Sequence, residues 1–171
     1  MFRFYSERPS DTPEVEQLFD TAFAPGRTAL SSYRLRDGVP MLTELSLVAR
    51  DDYDAVGGAI RFWPVMVMGK AALPALLLGP IAVHPTRQGE GLGALLMSES
   101  LSRARQAGWS RVLLVGDRPY YARFGFDQVP VLFPAPTNPD RVLGLALREG
   151  ALDGIDGAVT PWPAGRAALP A

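Results

Sequence analysis

Between Gly79 and Met97 the chain reads GPIAVHPTRQGEGLGALLM. An extended apolar run enters this stretch, a helical pattern leaves it, and glycines stand at positions 89, 91 and 93 between the two. Glycine costs backbone entropy, so three of them at a strand-to-helix junction need a reason. A glycine-rich turn gathers several backbone N–H groups at one point. The helix dipole adds about half a positive charge at the same end. Together these make an anion site suited to phosphate, which can approach the backbone with no Cβ in the way.

The rest of the chain alternates strand and helix patterns. Phe2–Tyr5 reads as an edge strand. The segment from Ser10 to Phe23 reads as a helix capped by Asp11 or Thr12, with Pro13 in its first turn and Val15, Leu18, Phe19 and Ala22 on one face. Pro25–Val39 is polar and rich in Gly and Arg, a loop or a short helix. Glu44–Asp51 and Ala55–Val67 read as two strands joined at a turn, with Gly57-Gly58 marking a bulge or a close neighbour. Ala75–Val83 is a nearly continuous apolar run, as in a central strand covered on both faces, and Gly79-Pro80 in its middle predicts a bulge or splay.

A helix follows over Gly91–Ala107, with Ala94, Met97, Leu101 and Ala104 as its inward stripe and Leu95 and Leu96 widening it. Gly108 ends it. Arg111–Asp117 reads as another buried strand, and Arg118–Phe126 as a short helix opened by Pro119 and closed by Gly125. Two more strands are expected near Asp127–Leu132 and Val142–Arg148. One domain over residues 1–150 is expected, followed by a Pro/Ala-rich tail, 151–171, that is disordered or docks through Trp162.

Composition excludes several classes. A chain of 171 residues favours a single domain and can bury about 70% of its extended surface without staples. The net charge is −1 with no basic tract, which argues against a nucleic-acid partner. There is no cysteine and one histidine, so disulfides, thiolate chemistry and a histidine-cluster metal site are out, and no metal is expected. The N-terminal residues have no signal-peptide pattern. The longest apolar stretch, Ala71–Val83, is broken by Pro74, Gly79 and Pro80 and falls short of the about 20 residues a bilayer span needs. No membrane partner and a cytoplasmic address are the default expectations.

Two familiar phosphate turns fail on required residues. A dinucleotide-binding turn needs its third glycine one residue later and an acidic residue after a second parallel strand. A P-loop needs Lys then Ser or Thr after its last glycine, whereas Gly93 is followed by Ala94 and Leu95, and Lys70 is the only lysine. Gln88-x-x-Gly91-x-Gly93 after IAVHP instead resembles the pyrophosphate-binding motif of the GNAT superfamily of N-acetyltransferases. PYYARFGF resembles that superfamily's Tyr-x-x-x-Gly-Phe segment, with Tyr121 at the tyrosine position. The order of elements is also similar, from about Arg3 to Arg148. The Asn often seen on the fifth strand has no counterpart in LLVGDRP.

The resemblance implies an α/β (α+β) fold: a single domain with a mixed, mostly antiparallel, splayed central sheet flanked by helices. It also implies acetyl-CoA as co-substrate. Backbone groups of Gln88, Gly89, Glu90, Gly91, Leu92, Gly93 and Ala94 would hold the pyrophosphate, and main-chain groups across Ile81, Ala82 and Val83 would pair with the pantetheine arm. A neutral amine would attack the thioester directly in a ternary complex, with Tyr121 protonating the departing thiolate. Glu44 is a candidate base or amine anchor. His84 at the strand end is expected to support the turn, and Asp117 to cap the next helix. Arg123 is expected on the surface near the cofactor, and Phe62 and Trp63 in the core. The expected acceptor is a primary amine of a small molecule or peptide, and a homodimer is allowed. The alternative is a non-catalytic acyl-CoA-binding or regulatory module on the same fold, which would have no use for the tyrosine.

Overall fold

The computed structural model describes residues 1–23 and 31–170. Its strands are β1 (Arg3–Ser6), β2 (Leu47–Arg50), β3 (Val56–Met68), β4 (Ala72–Val83), β5 (Arg111–Val115), β6 (Asp127–Gln128), β7 (Val142–Ala146) and β8 (Ala158–Pro161). Its α-helices are α1 (Thr12–Phe23), α2 (Leu92–Gln106) and α3 (Arg118–Ala122). The strands form one mixed sheet in the order β1-β2-β3-β4-β5-β7-β6, with β8 also paired to β3. Among the described strands, β4 and β5 are the one pair that runs parallel. No described helix is long and apolar enough to cross a membrane.

Side-chain alternation along the strands separates two cores. Leu47, Ala49, Ile60 and Ile81 face Leu92, Leu96, Met97 and Leu101 of α2. Val48, Val56, Ala59 and Ala82 face Val15, Leu18 and Phe19 of α1. Further along that second face, Trp63, Val65, Leu77 and Leu113 pack against Leu35, Val131, Phe133 and Ile155. The paired glycines serve α2: a Cβ on Gly58 would lie 2.8 Å from Leu96 Cδ1, and one on Gly57 would lie 2.6 Å from the Phe2 ring. Gly57 is also the extra residue of a bulge, since Ala49 pairs Gly58 and Arg50 pairs Val56.

β3 is far longer than β2, so half of its edge needs another partner. The C-terminal segment supplies it: Val65–Met68 pair with β8. Of the two outcomes expected for residues 151–171, docking through Trp162 is the one observed. Trp162 is 5% exposed, and its ring lies 6.2 Å from that of Trp109.

Several local expectations are corrected. The buried face of α2 is Leu92, Leu96, Met97, Ser100, Leu101 and Ala104, whereas Ala94 and Leu95 are exposed, Leu95 by 51%. The run Ala94–Met97 is apolar throughout, so it carries no phase, and the cap at Gly91 sets the helix one step round. Ala22 is exposed rather than buried. The strand expected to open at Glu44 begins at Leu47, because Leu45 and Ser46 N–H groups both turn back to Leu42 O. The strand expected over Asp127–Leu132 is regular only at Asp127–Gln128. Pro130 has no N–H to continue that ladder.

Beneath α1 lies a buried ion cluster. Arg61 on β3 donates from Nε and Nη2 to Glu7 at 2.9 and 2.7 Å and from Nη1 to Glu16 at 2.6 Å. The Glu7 side chain is fully buried and that of Arg61 is 8% exposed. Removing Glu7 would leave Arg61 with Glu16 alone, and losing hydrogen bonds to a charged group costs about 1.5–3 kcal/mol. Glu7→Ala is therefore expected to lower unfolding free energy by about that amount in urea titrations followed by tryptophan fluorescence. A loss below about 1 kcal/mol would mean water reaches Arg61 once Glu7 is gone.

Candidate active site

β4 pairs with β5 at only two positions, Leu76 with Val112 and Leu77 with Leu113. Beyond them the strands part, and β5 continues only with β7. At the parting point β4 is bulged: Ile60 pairs Ile81 and Phe62 pairs Leu78, so Gly79-Pro80 lie opposite the single residue Arg61. Trp63 fills the space behind the bulge. A Cβ on Gly79 would meet its ring at 2.6 Å, and its Nε1 donates to Val39 O at 3.1 Å. Phe62 and Trp63 are core residues, as expected.

β4 ends at a 3₁₀ turn, Pro85–Arg87, capped by His84, whose Nδ1 accepts from Thr86 N–H at 3.2 Å. The turn then runs through Gly89 (φ 87°) and Gly91 (φ 76°), both left-handed. Gly91 is the N-cap of α2 and makes no side-chain cap bond. The first N–H groups of that helix therefore have no capping side chain. Nothing lies within 4 Å of where a Cβ would sit on Gly89 or Gly91. The turn is an open cradle of backbone donors.

This cradle forms one wall of a cleft of about 540 Å³. Of the residues expected to bind cofactor, Ile81, Ala82, Val83, Gln88, Gly89, Gly91, Leu92, Gly93 and Ala94 line it together. Glu90 does not; it is exposed and lies 3.9 Å from Arg87 Nη1. Arg87, Tyr120 and Arg123 line the cleft too. Arg87 is anchored by Asp51. Hydrogen bonds from Ala55 and Tyr53 N–H, with Arg87 beside them, hold the Asp51 carboxyl below the usual carboxylate range. The Arg123 guanidinium stacks 4.6 Å from the Tyr120 ring centre. Two cations thus flank the open donors.

Asp117 caps α3, accepting from Tyr120 N–H at 3.3 Å, and Pro119 sits in the first turn. This short helix carries two tyrosines that diverge. Tyr120 lines the large cleft, and its hydroxyl lies 3.1 Å from where a Cβ would stand on Gly93. Tyr121 lines a second, smaller cavity of about 100 Å³ with Leu77–Ile81. Ile81 belongs to both. The Tyr121 ring rests on Gly116, where a Cβ would come within 2.5 Å of it, and its hydroxyl bonds to no described residue. Burial is the main cause that pushes its pKa up to about 12, against a lowering influence from Arg141.

Phe23, Ser32, Tyr33 and Arg36 form the opposite wall of the smaller cavity. Ser32, Tyr33 and Arg36 belong to a 3₁₀ turn, Ser31–Arg36, inside the segment Pro25–Val39 expected to be a loop or a short helix; residues 25–30 lie outside the described residues. A third cavity, about 340 Å³, adjoins it through Ser32 and Val115 and is lined by Pro136, Thr137, Asn138 and Arg141. Glu44 lines none of these cavities; it stands exposed on a turn. His84 borders a separate cavity under α1 with Glu14 and Thr21. Sequence reasoning missed Tyr120, Arg87, Tyr33, Arg36 and Arg141. Of these only Tyr120 and Arg87 had a local signal, each being next to a motif residue.

The chain is similar to known proteins over most of its length. The chain is 34% identical over 159 residues to the uncharacterized N-acetyltransferase YhbS of Escherichia coli K12, covering 90% of this chain and 92% of that protein. It is 30% identical over 142 residues to a second such protein of that strain, YjhQ, with 79% and 78% covered. A crystal structure of Escherichia coli YhbS in complex with CoA superposes with a TM-score of 0.77 at 30% identity, covering 95% of this chain and 89% of that one. A Brucella melitensis GNAT family acetyltransferase in complex with acetyl-CoA gives 0.68 at 33% identity, covering 96% and 97%. The model of the acetyltransferase (GNAT) domain matches residues 5–129, and the chain belongs to the GNAT family of acetyltransferases.

Proposed function

We propose that this protein is an acetyl-CoA-dependent N-acetyltransferase that transfers the acetyl group directly to a primary amine. One observation carries the reading: Ile81 on the parted strand borders both the donor-lined cleft and the cavity of Tyr121, so phosphate cradle and candidate acid flank one stretch of β4. The CoA and acetyl-CoA complexes of the two structural relatives support the same co-substrate here. The residues suit it. Uncapped N–H groups at the start of α2, with Gly89 and Gly91 open in front of them, match a pyrophosphate. Arg87 and Arg123 would balance its charge. β4 beyond Leu77 has no strand on its β5 side, so main-chain groups of Ile81 and Val83 would pair with the pantetheine arm as a strand would.

Acetyl-CoA brings an activated acyl carbon. The amine nitrogen bonds to that carbon, the C–S bond breaks, and the electron pair leaves on sulfur. Tyr121 gives its hydroxyl proton to the sulfur, the amine's surplus proton passes to solvent, and the Tyr121 oxygen regains a proton from solvent before the next turnover. No protein nucleophile is involved, in keeping with a chain that has no cysteine. A tyrosine held at about 12 is a weak acid beside a free thiol of pKa about 8.5. A thiolate released in the same cavity is desolvated as well, and burial raises its proton affinity for the same reason. The gap between donor and acceptor therefore narrows inside the site. Glu44, exposed on its turn, is given no step.

Three outcomes test this reading. Gly91→Glu should abolish acetyl-CoA binding by calorimetry in a folded variant, because an anionic side chain would fill the cradle. Unchanged affinity would remove the phosphate assignment. Tyr121→Phe should lower kcat about 10²–10⁴-fold with acetyl-CoA affinity little altered, in thiol-release assays with a panel of amines. A purely binding module would release no thiol with any amine. Since Tyr121 stays protonated up to about pH 12, kcat should rise or level between about pH 7 and 10 as the acceptor amine loses its proton. A falling limb in that range that vanishes in Tyr121→Phe would mean the burial argument is wrong.

A further inference from the structure

The acceptor side of the site is cationic. Arg36 lines the cavity of Tyr121, Arg141 lines the adjoining one, and no Asp or Glu is among the described residues lining either. A substrate whose only ionic group is ammonium would meet two guanidinium groups in the cavity walls, while the Asp117 carboxylate, whose charge also reaches Tyr121, caps α3 and lines neither cavity.

The two arginines stand differently. Arg36 is laid over aromatic faces, 3.6 Å from the Tyr33 ring centre and 4.3 Å from that of Trp63. Arg141 is exposed, and its guanidinium has no ion pair or hydrogen bond to a described residue. Its backbone is nevertheless fixed. The Arg141 carbonyl accepts from Gly116 N–H at 2.9 Å, and its N–H donates to Asn138 O at 3.0 Å. Gly116 is the seat of the Tyr121 ring, so Arg141 is held beside the candidate acid, and its charge reaches Tyr121.

The wall around Arg141 is preformed. Ser31 and Thr137 hydroxyls are 2.6 Å apart, and Arg34 donates to Ala135 O at 2.7 Å, which ties the 3₁₀ turn to the loop before Arg141. Asn138 Oδ1 accepts from Asp140 N–H at 2.9 Å, so its amide nitrogen remains as a donor. The Ser32 hydroxyl, shared by both cavities, has no partner among the described residues. Donors converge on this cavity around a held but uncompensated cation.

We propose that the acceptor is an amine that also carries an anionic group, a carboxylate or a phosphate, and that Arg141 receives the anion while the amine lies beside Tyr121. This rests on the acetyltransferase reading. An unpaired guanidinium next to neutral donors recognises an anion through charge-assisted hydrogen bonds. Such bonds make Arg141 a specificity residue rather than part of the chemistry.

Matched amine pairs test the idea: an amino acid against its amide, and an aminoalkyl phosphate against the corresponding amino alcohol. Thiol release gives kcat/KM, and mass spectrometry identifies the product. In at least one pair the anionic member should be favoured about 10–100-fold, the range of a charged hydrogen-bonded contact. Which pair responds tells carboxylate from phosphate. Arg141→Gln should bring that ratio towards one, mainly through KM, and Arg141→Lys should restore part of it. A wild-type preference for neutral or polycationic amines overturns the proposal and leaves the enzyme assignment standing. So does an anionic preference that survives Arg141→Gln. If acetyl-CoA binds by calorimetry but no amine of any class is acetylated, the acetyltransferase reading falls and this inference falls with it.

Discussion

Everything at the site follows from how briefly β4 and β5 pair. Parallel neighbours in a closed sheet would satisfy each other's backbone groups along their whole length. Here the ladder stops after Leu77 and Leu113, and the rest of β4 is left to find partners elsewhere. Backbone polar groups deep in a protein are costly to leave unmet. The gap lies where a further strand would otherwise pair, and it is the place proposed above for the pantetheine arm. The parting also divides the surroundings in two, with the α2 turn on one side and the Ser31–Arg36 turn on the other.

The parting is maintained from behind. Gly79-Pro80 bulge against Arg61, Pro80 has no donor to offer a neighbour, and Trp63 packs into the notch that Gly79 leaves. Arg61 is in turn locked to Glu7 and Glu16 beneath α1. A buried ion pair contributes little net stability over an apolar replacement. Its geometry, however, allows few alternatives, and the bulge sits on the same residue. The cluster thus fixes where the strand bends, which in turn fixes where Ile81 stands between the two compartments.

What was legible in the sequence was local. The Gln88–Gly93 turn, the Asp117 cap and the stops at Gly108 and Gly125 depend on residues a few positions apart, and each was readable. The order of elements followed from them. What could not be read depends on distant partners. Glu7 and Arg61 are 54 positions apart, and Ser31 and Thr137 are 106 apart. Nothing near Arg141 in the chain says that it stands beside Tyr121. The divergence of Tyr120 and Tyr121 depends on what Gly93 and Gly116 leave vacant, again a long-range matter. Glu44 misled because an acid before an apolar run looks like a strand opening, when Leu42 in fact draws the next residues into a turn.

The pairing of β3 with β8 bears on how the chain is made. Val65 meets Pro161 only after some ninety intervening residues have been synthesised. A ribosome adds roughly 5–20 residues per second, so the lower edge of the longest strand waits seconds for its partner. Val65 and Val67, fully buried in the finished fold, belong to an unpaired, apolar edge during that wait. Such an edge is a ready template for another chain. The last strand is thus a guard as well as a support: its arrival closes the interval in which a nascent molecule is most open to pairing with its neighbours on a polysome.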